Sequence, residues 1–456
     1  MAILDKIRDF MEEAFAGSFL IFYLLCKHRF KYWRQKDIKN YQERRMRAVA
    51  RRAFAKSPFF KNHYSGFDLS DIWNLPPVNK KIMMENLTGY NTVGLSKEEI
   101  IDFCLEVEGA RDFSKRLEGI NVGMSSGTSG NKGVEIVTPR EEGYMKAALL
   151  SRFDFPKGEK INLAFILRVS APAFNLDKFG HKLTYISQLN PIEKIIDELE
   201  KLDPNILSAP PSMLKIIAKE VEAGRLAIKP KRVISYAEVL YPDVKIYLEK
   251  VFGGVIHQIY KCTEGPVAIT CRYGSLHINE DLVAVETLNG DGSATAAGES
   301  CKRLLITDLH KNSQPIIRYE LNDIIVIDKN KCRCGSNFRV IKEVQGRADD
   351  MFWGLRNGSL AEQFVFQDYI SRAIISTSGD IDDFQAIQTD YDKIVLRIKL
   401  APGAAGEGLR EKLSCSIKKI FSDYDCALPD IEIIFADPVP NELSNKLSRI
   451  ICKISK

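Results

Sequence analysis

The chain has 456 residues, 45% of them hydrophobic and 27% charged, a globular balance that excludes fibrous, coiled-coil and wholly disordered architectures. Its 65 basic and 60 acidic side chains leave a net charge of +5, too even to argue for nucleic acid as a partner. Ten cysteines in so long a chain are no disulfide framework, and no signal peptide is in view, so a reducing cytoplasm is the expected setting.

The longest apolar run is Ala14–Cys26, thirteen residues where a membrane span needs about 20. A basic stretch follows, from Lys27, Arg29 and Lys31 through Arg44, Arg45 and Arg47 to Arg51 and Arg52, opposed only by Asp37 and Glu43. The favoured reading is a helical hairpin that caps the main domain and turns a solvated basic face outward. A membrane-surface anchor is the less favoured one.

From about residue 138 the pattern alternates. Strand-like runs at Ile161–Leu167, Leu183–Ile186, Asn205–Leu207, Val233–Tyr236 and Val255–Tyr260 are separated by helical stretches at Glu141–Arg152, Ile192–Leu202, Ser212–Ala223 and Val244–Phe252. Such alternation predicts an α/β domain with a mostly parallel sheet covered by helices. Thr138 can cap the first of these helices, Pro139 suits its first turn, and Glu141 completes a capping box.

Between 276 and 344 short β-rich segments, such as Arg303–Asp308 and Ile324–Ile327, predict a smaller antiparallel subdomain. After Gly346 the chain reads as a helix at Glu362–Ile375, a strand pair Phe384–Gln388 and Ile394–Leu400 turning at Asp390-Tyr391-Asp392, a helix at Gly406–Phe421 and a strand at Ile431–Phe435. That is a small α+β unit. The expected organisation is a large domain over 1–346, with a helical lead-in over 1–100, and a small domain over 347–456.

Two clusters carry chemistry. The segment Met124–Pro139 packs Ser125, Ser126, Gly127, Thr128, Ser129, Gly130 and Lys132 into eight residues. Small residues let backbone N–H groups approach a phosphate chain, hydroxyls donate to it and a lysine offsets its charge, although composition alone equally describes a flexible turn. It is not a Walker A loop, because no Gly-Lys-Ser/Thr ends it. Cys271 and His277, six apart, and Cys332 and Cys334 in KCRCGSN make a second cluster. Three thiolates and an imidazole suit a closed, structural zinc site, and buried, metal-free cysteines are the alternative.

The loop SSGTSGNKG resembles the phosphate-binding motif of the adenylate-forming superfamily, the acyl-CoA synthetases and their relatives. Further matches follow in order: QIYKCTEGPVAITC, Gln258–Cys271, is similar to their aromatic-x-x-Thr/Ser-Glu motif; Leu304–Ile324 to the stretch ending in a ribose-binding aspartate; VQGRADDMF, Val344–Phe352, to the hinge motif; and PNELSNKLSRI, Pro440–Ile450, to the motif bearing the catalytic lysine. Together they resemble the phenylacetate-CoA-ligase-like branch, some of whose chains are also similar around the cysteines.

The resemblance implies ATP-dependent activation of a carboxylic acid, most plausibly aromatic, to an acyl-adenylate with release of pyrophosphate, then transfer to coenzyme A. It places Ser125, Ser126, Thr128, Ser129 and Lys132 on the β- and γ-phosphates, Tyr260 against adenine with Ala237 and Glu238 as the wall, Thr263 on the α-phosphate and Glu264 on Mg²⁺. Asp323 would accept the ribose hydroxyls, Arg347 would assist there or at the phosphate, Lys446 would be the catalytic lysine, and Asp349 the hinge of a mobile small domain. The sequence departs from the pattern at Lys261 and Cys262, where glycine is common, at Asn445 before the lysine, and after Asp350. Transfer to a carrier-protein thiol, or adenylyl transfer giving a stable AMP conjugate, are the alternatives within this chemistry. A scaffold that has lost turnover is opposed by the presence of Glu264, Asp323 and Lys446. Family relatives are often homodimers.

Overall fold

The structure, a computed structural model, describes residues 19–110, 112, 114–124, 133–152, 159–167, 181–188, 190–347, 352–358, 362–365, 367–378, 380–406, 408–440 and 447–454. The chain divides into two compact units, Met1–Leu321 with Val326–Glu343, and Asn322–Ile325 with Val344–Lys456.

In the first unit, the strands Lys182–Ser187, Asn162–Leu167, Ile206–Ala209, Arg232–Tyr236 and Ile256–Cys262 lie side by side in that order, all parallel. Helices Ile192–Leu202, Pro211–Glu222 and Pro242–Phe252 provide the crossovers, as parallel pairing demands. Pro191, Pro210, Pro211 and Pro242 mark their starts, where a missing N–H costs nothing. Ile166, Ile186, Leu207, Val233 and Ile256 from the sheet interlock with Leu199, Leu214, Ile217 and Leu248 from the helices, all buried. Truncating any of these leucines to alanine is worth about 2–5 kcal/mol.

At Thr263 the direction reverses: Gly265–Thr270 and Leu276–Ile278 are antiparallel, and Val340–Arg347 pairs with the latter through Val340 and Ile341. A separate antiparallel sheet joins Val283–Leu288, Arg303–Asp308 and Tyr319–Leu321. The lead-in is helical: a helix over 19–32, the helix Gln35–Lys56, and then the helices Pro58–His63, Lys80–Glu85, Leu87–Tyr90 and Lys97–Ala110. The second is seated by Gln42, which donates to the Glu280 and Val283 carbonyls, and by Arg45, which donates to that of Leu309. Among the described residues no helix is long and apolar enough to cross a membrane.

The second unit has a four-stranded sheet in the order Asp430–Phe435, Lys393–Leu400, Ile381–Asp390, Ile450–Cys452. Helices Gln367–Thr377 and Leu409–Asp423 share its core through Ile370, Ile374, Leu413, Ile417 and Phe421. The helix expected from Glu362 begins only at Gln367. Glu362–Val365 is a strand, because it finds an antiparallel partner in Phe352–Leu355 and its Phe-Val end suits a pleated ribbon.

Candidate functional site

In an open parallel sheet, ligands bind beyond the carboxyl ends of the strands. Thr263 and Glu264 form the two-residue turn at that end of Ile256–Cys262, with Cys262 facing Gly265 across it. On the neighbouring parallel strand, Ala237 and Glu238 follow Tyr236 at the same edge. The structure therefore brings together Tyr260, Thr263, Glu264, Ala237 and Glu238, which are scattered over 28 positions of sequence.

Two local features aim these groups. The ladder slips between Tyr260 and Lys261, a bulge that redirects the strand end. Ala237 has φ of +69°, a left-handed conformation that a Cβ opposes and that neighbouring structure must enforce. Beside it Phe165 stacks on Tyr236 at 5.2 Å, and the Tyr236 hydroxyl donates to the Ile166 carbonyl. Glu238 accepts from the Ser212 backbone and hydroxyl at 3.1 and 3.0 Å, so its carboxylate caps the helix Pro211–Glu222, a structural task beyond the wall role expected for it.

Glu264 is only 9% exposed and lines a solvent-open cleft with Glu135, Glu141, Asp308 and Lys311. Asp308 accepts the N–H groups of His310 and Lys311, both at 2.8 Å, yet burial pushes its carboxyl up to about 6. Lys311 is 5% exposed, and its ammonium has no hydrogen-bond partner among the described residues. Lys261 pairs with Glu135 at 3.1 Å.

Glu141 stands apart in this group because its carboxylate is fully used. It accepts from Thr138, Asn312 and Ser313, including the expected capping-box bond from the Thr138 N–H at 2.9 Å. Against the opposing effect of burial, these donors hold its carboxyl below the usual range. Ser313 and Gln314 add bonds to Ile136 and Val134, and so pin the strand Val134–Val137 that leaves the glycine-rich loop. Of these groups, sequence reasoning reached Glu141 only as a cap. Glu135 carries no local signal, because its partner Lys261 is 126 residues away.

The cysteine–histidine cluster lies at the other end of the antiparallel strands. Donor atoms of Cys271, His277, Cys332 and Cys334 all lie within 4.8 Å of one another. The Cys271 and Cys332 sulfurs are 3.7 Å apart, and the Cys334 sulfur is 3.3 Å from His277 Nε2. Ligands 2.3 Å from a tetrahedral zinc are separated by about 3.8 Å, so the spacing and the donor chemistry both fit. His277 Nδ1 lies 2.9 Å from the Phe338 carbonyl, which fixes the ring and leaves Nε2 facing the sulfurs. N–H groups of Tyr273, Cys334 and Ser336 point at the thiols, and hydrogen bonding within the cluster draws the Cys271 thiol down.

No family model matches the chain. A curated relative, the phenylacetate-coenzyme A ligase of Thermus thermophilus, is 26% identical over 170 residues, 35% of this chain and 38% of that protein. Among solved structures, 2-hydroxyisobutyryl-CoA ligase in a postadenylation state, with R3-HIB-AMP, superimposes with a TM-score of 0.72 at 16% identity, covering 93% of this chain and 91% of that one. The chain has the fold of the adenylate-forming ligases. An anthranilate CoA ligase in complex with anthranoyl-AMP also matches, with a TM-score of 0.51 at 16% identity over 72% of this chain and 66% of that one. The resemblance carried by the sequence motifs is thus to the fold and relatives that the comparisons find.

Asp323 opens the strand Asp323–Ile327, neighbouring Val340–Arg347, whose last residue is Arg347. Both residues fall in the second unit. Ser125, Ser126, Gly127, Thr128, Ser129, Gly130, Lys132, Asp349 and Lys446 lie outside the described residues. The loop's flanking strands, Asn121–Met124 and Val134–Val137, pair as an antiparallel hairpin.

Proposed function

We propose that the protein activates a carboxylic acid with ATP and passes the acyl group to coenzyme A. The observation that carries this reading is the Thr263–Glu264 turn at the carboxyl edge of the parallel sheet, in a fold shared with ligases solved with acyl-AMP. In the first step a carboxylate oxygen bonds to the α-phosphorus of ATP and the bond to pyrophosphate breaks. In the second, a thiolate attacks the acyl carbon and AMP leaves with the bonding electrons.

Thr263 would donate to the α-phosphate, and Tyr260 would stack on adenine beside Ala237 and Glu238. The loop Ser125–Lys132 would cradle the outer phosphates, and Asp323 with Arg347 would hold the ribose. Glu264, an oxygen donor in an open cleft, suits Mg²⁺, which when bound spreads the phosphate charge. Lys446 would bridge the attacking carboxylate and the α-phosphate, where charge gathers in the transition state. Asp349 would be the hinge between the two half-reactions. An aromatic acid is the favoured substrate, supported by the phenylacetate and anthranilate ligases among the similar proteins and by Phe165 and Tyr236 at the strand ends.

The test is acid-dependent pyrophosphate release from ATP across aryl and aliphatic acids, with and without coenzyme A. Release should rise with an aryl acid and again with coenzyme A, and Lys446→Ala should lower it by about 10²–10³-fold. Release indifferent to coenzyme A, with an AMP conjugate accumulating, would replace this reading by adenylyl transfer. Cys271, His277, Cys332 and Cys334 would hold one structural zinc, since four protein donors leave no open position. Elemental analysis should find close to one zinc per chain, and a Cys332→Ser/Cys334→Ser variant should lack it.

A further inference from the structure

The helix over 19–32 is docked on one side and bare on the other. Its inner face is held firmly: Phe22 meets Tyr144 edge-on at 4.6 Å, Cys26 is fully buried, and Arg29 donates to the hydroxyls of Tyr41 and Tyr144. Phe30 packs edge-on against His277 and Phe338 at 5.2 and 5.4 Å. The outer face is different in kind. Leu20, Ile21, Leu24 and Leu25 are 56%, 57%, 54% and 42% exposed, and Tyr32 is 59% exposed.

These positions share one face, because residues three and four apart are neighbours along a helix: 20, 24, 27 and 31 form one row, and 21, 25, 28 and 32 the next. Both rows begin with exposed aliphatics and end with exposed Lys27, His28, Lys31 and Tyr32. The Lys31 ammonium lies over the Tyr32 ring at 4.9 Å, and His28 packs beside that ring. From Phe19 to Lys36 the sequence has five lysines and arginines and no acid, and among the described residues neither Lys27 nor Lys31 pairs with a carboxylate. Five of the eleven large apolar side chains strongly exposed among the described residues fall on this one helix, so the patch is not the scatter expected of any surface.

We propose that this face docks on a bilayer surface bearing anionic headgroups, the aliphatics entering the acyl boundary and the bases resting on the headgroups. Charge selects the occupant. A second copy offers no acid on this face to meet the lysines, whereas anionic lipid complements the apolar and the basic ends together. The inner-face contacts already order the helix, so it need not fold on arrival. The inference is independent of the proposed catalytic reading, and its test uses no turnover.

The experiment is co-sedimentation of the full chain with vesicles of phosphatidylcholine alone, or mixed with phosphatidylglycerol, at low and high salt. The protein should partition onto the mixed vesicles, less so in high salt, and stay free of the neutral ones. Lys27→Gln/Lys31→Gln should lower the partition by about fivefold per lysine, and Leu20→Ser/Ile21→Ser/Leu24→Ser/Leu25→Ser should abolish it. All six side chains are solvent-facing, so thermal unfolding should be unmoved; if the serine variant unfolds, the lysine pair decides. Failure of the wild-type chain to bind mixed vesicles, or binding that both variants retain, would overturn the proposal. Self-association in sedimentation velocity that the serine variant removes, without vesicle binding, would replace it with a second copy.

Discussion

The cleft around Glu264 and the cluster around Cys271 lie at opposite ends of the same antiparallel strands, and they treat charge in opposite ways. In the cleft, Asp308 is pushed up to about 6 by burial and the Lys311 ammonium has no hydrogen-bond partner among the described residues. At the cluster, four donors converge within 4.8 Å, backbone N–H groups point at the thiols, and the imidazole is oriented by the Phe338 carbonyl. Incomplete satisfaction is costly in a buried place unless something arrives to complete it, whereas a closed donor set completes itself around one ion. The first arrangement suits turnover and the second suits fastening.

The sharpest way to break the contrast is at the fastening side. Arg152 forms a buried pair with Asp281, donates to the Cys26 carbonyl, and lies over Phe30 and Phe338 at 4.8 and 5.3 Å. Arg152→Met should leave the Asp281 charge stranded and cost about 3–5 kcal/mol, read as a lower urea midpoint. On the cleft side, Glu264→Gln should cost about 10²–10³-fold in acid-dependent pyrophosphate release while the urea midpoint stays put. A variant that lost stability instead would assign Glu264 to the frame.

Glu141 gives the smallest effect and tests the boundary between the two behaviours, since it lines the cleft but is saturated with donors. Its carboxyl lies below the ordinary 4.5, so it stabilises the fold above that value and the contribution is lost as pH falls through the folded one. Glu141→Gln should cost about 1.5–3 kcal/mol at neutral pH. It should also flatten the acid limb of stability against pH below 4.5, with the wild-type chain losing its advantage there.

The parallel core was legible because strand and helix periods alternate cleanly between Ile161 and Tyr260, and prolines punctuate the crossovers. Glu362–Val365 was misread as helix because its partner, Phe352–Leu355, acts across a loop that local pattern does not see. The cysteine–histidine set was visible as two short pairs, since ligand spacing is a local property, and the structure brings the pairs together as that reading expected. The pairing of Lys261 with Glu135, 126 residues away, left no trace in either segment. On the helix over 19–32, hydrophobicity alone could not say which leucines face the protein, because Phe22 and Leu24 read alike until one has a partner.

The lead-in also has a history in time. Asn337 donates to the Trp33 carbonyl and Gln35 to the Asn337 carbonyl, bonds that span 304 and 302 residues. A ribosome adding 5–20 residues per second needs roughly 15–60 s to cover that distance. Through that interval Phe30, whose partners His277 and Phe338 come late in the chain, stands as open to chaperones as Leu20 and Leu24 do in the finished protein.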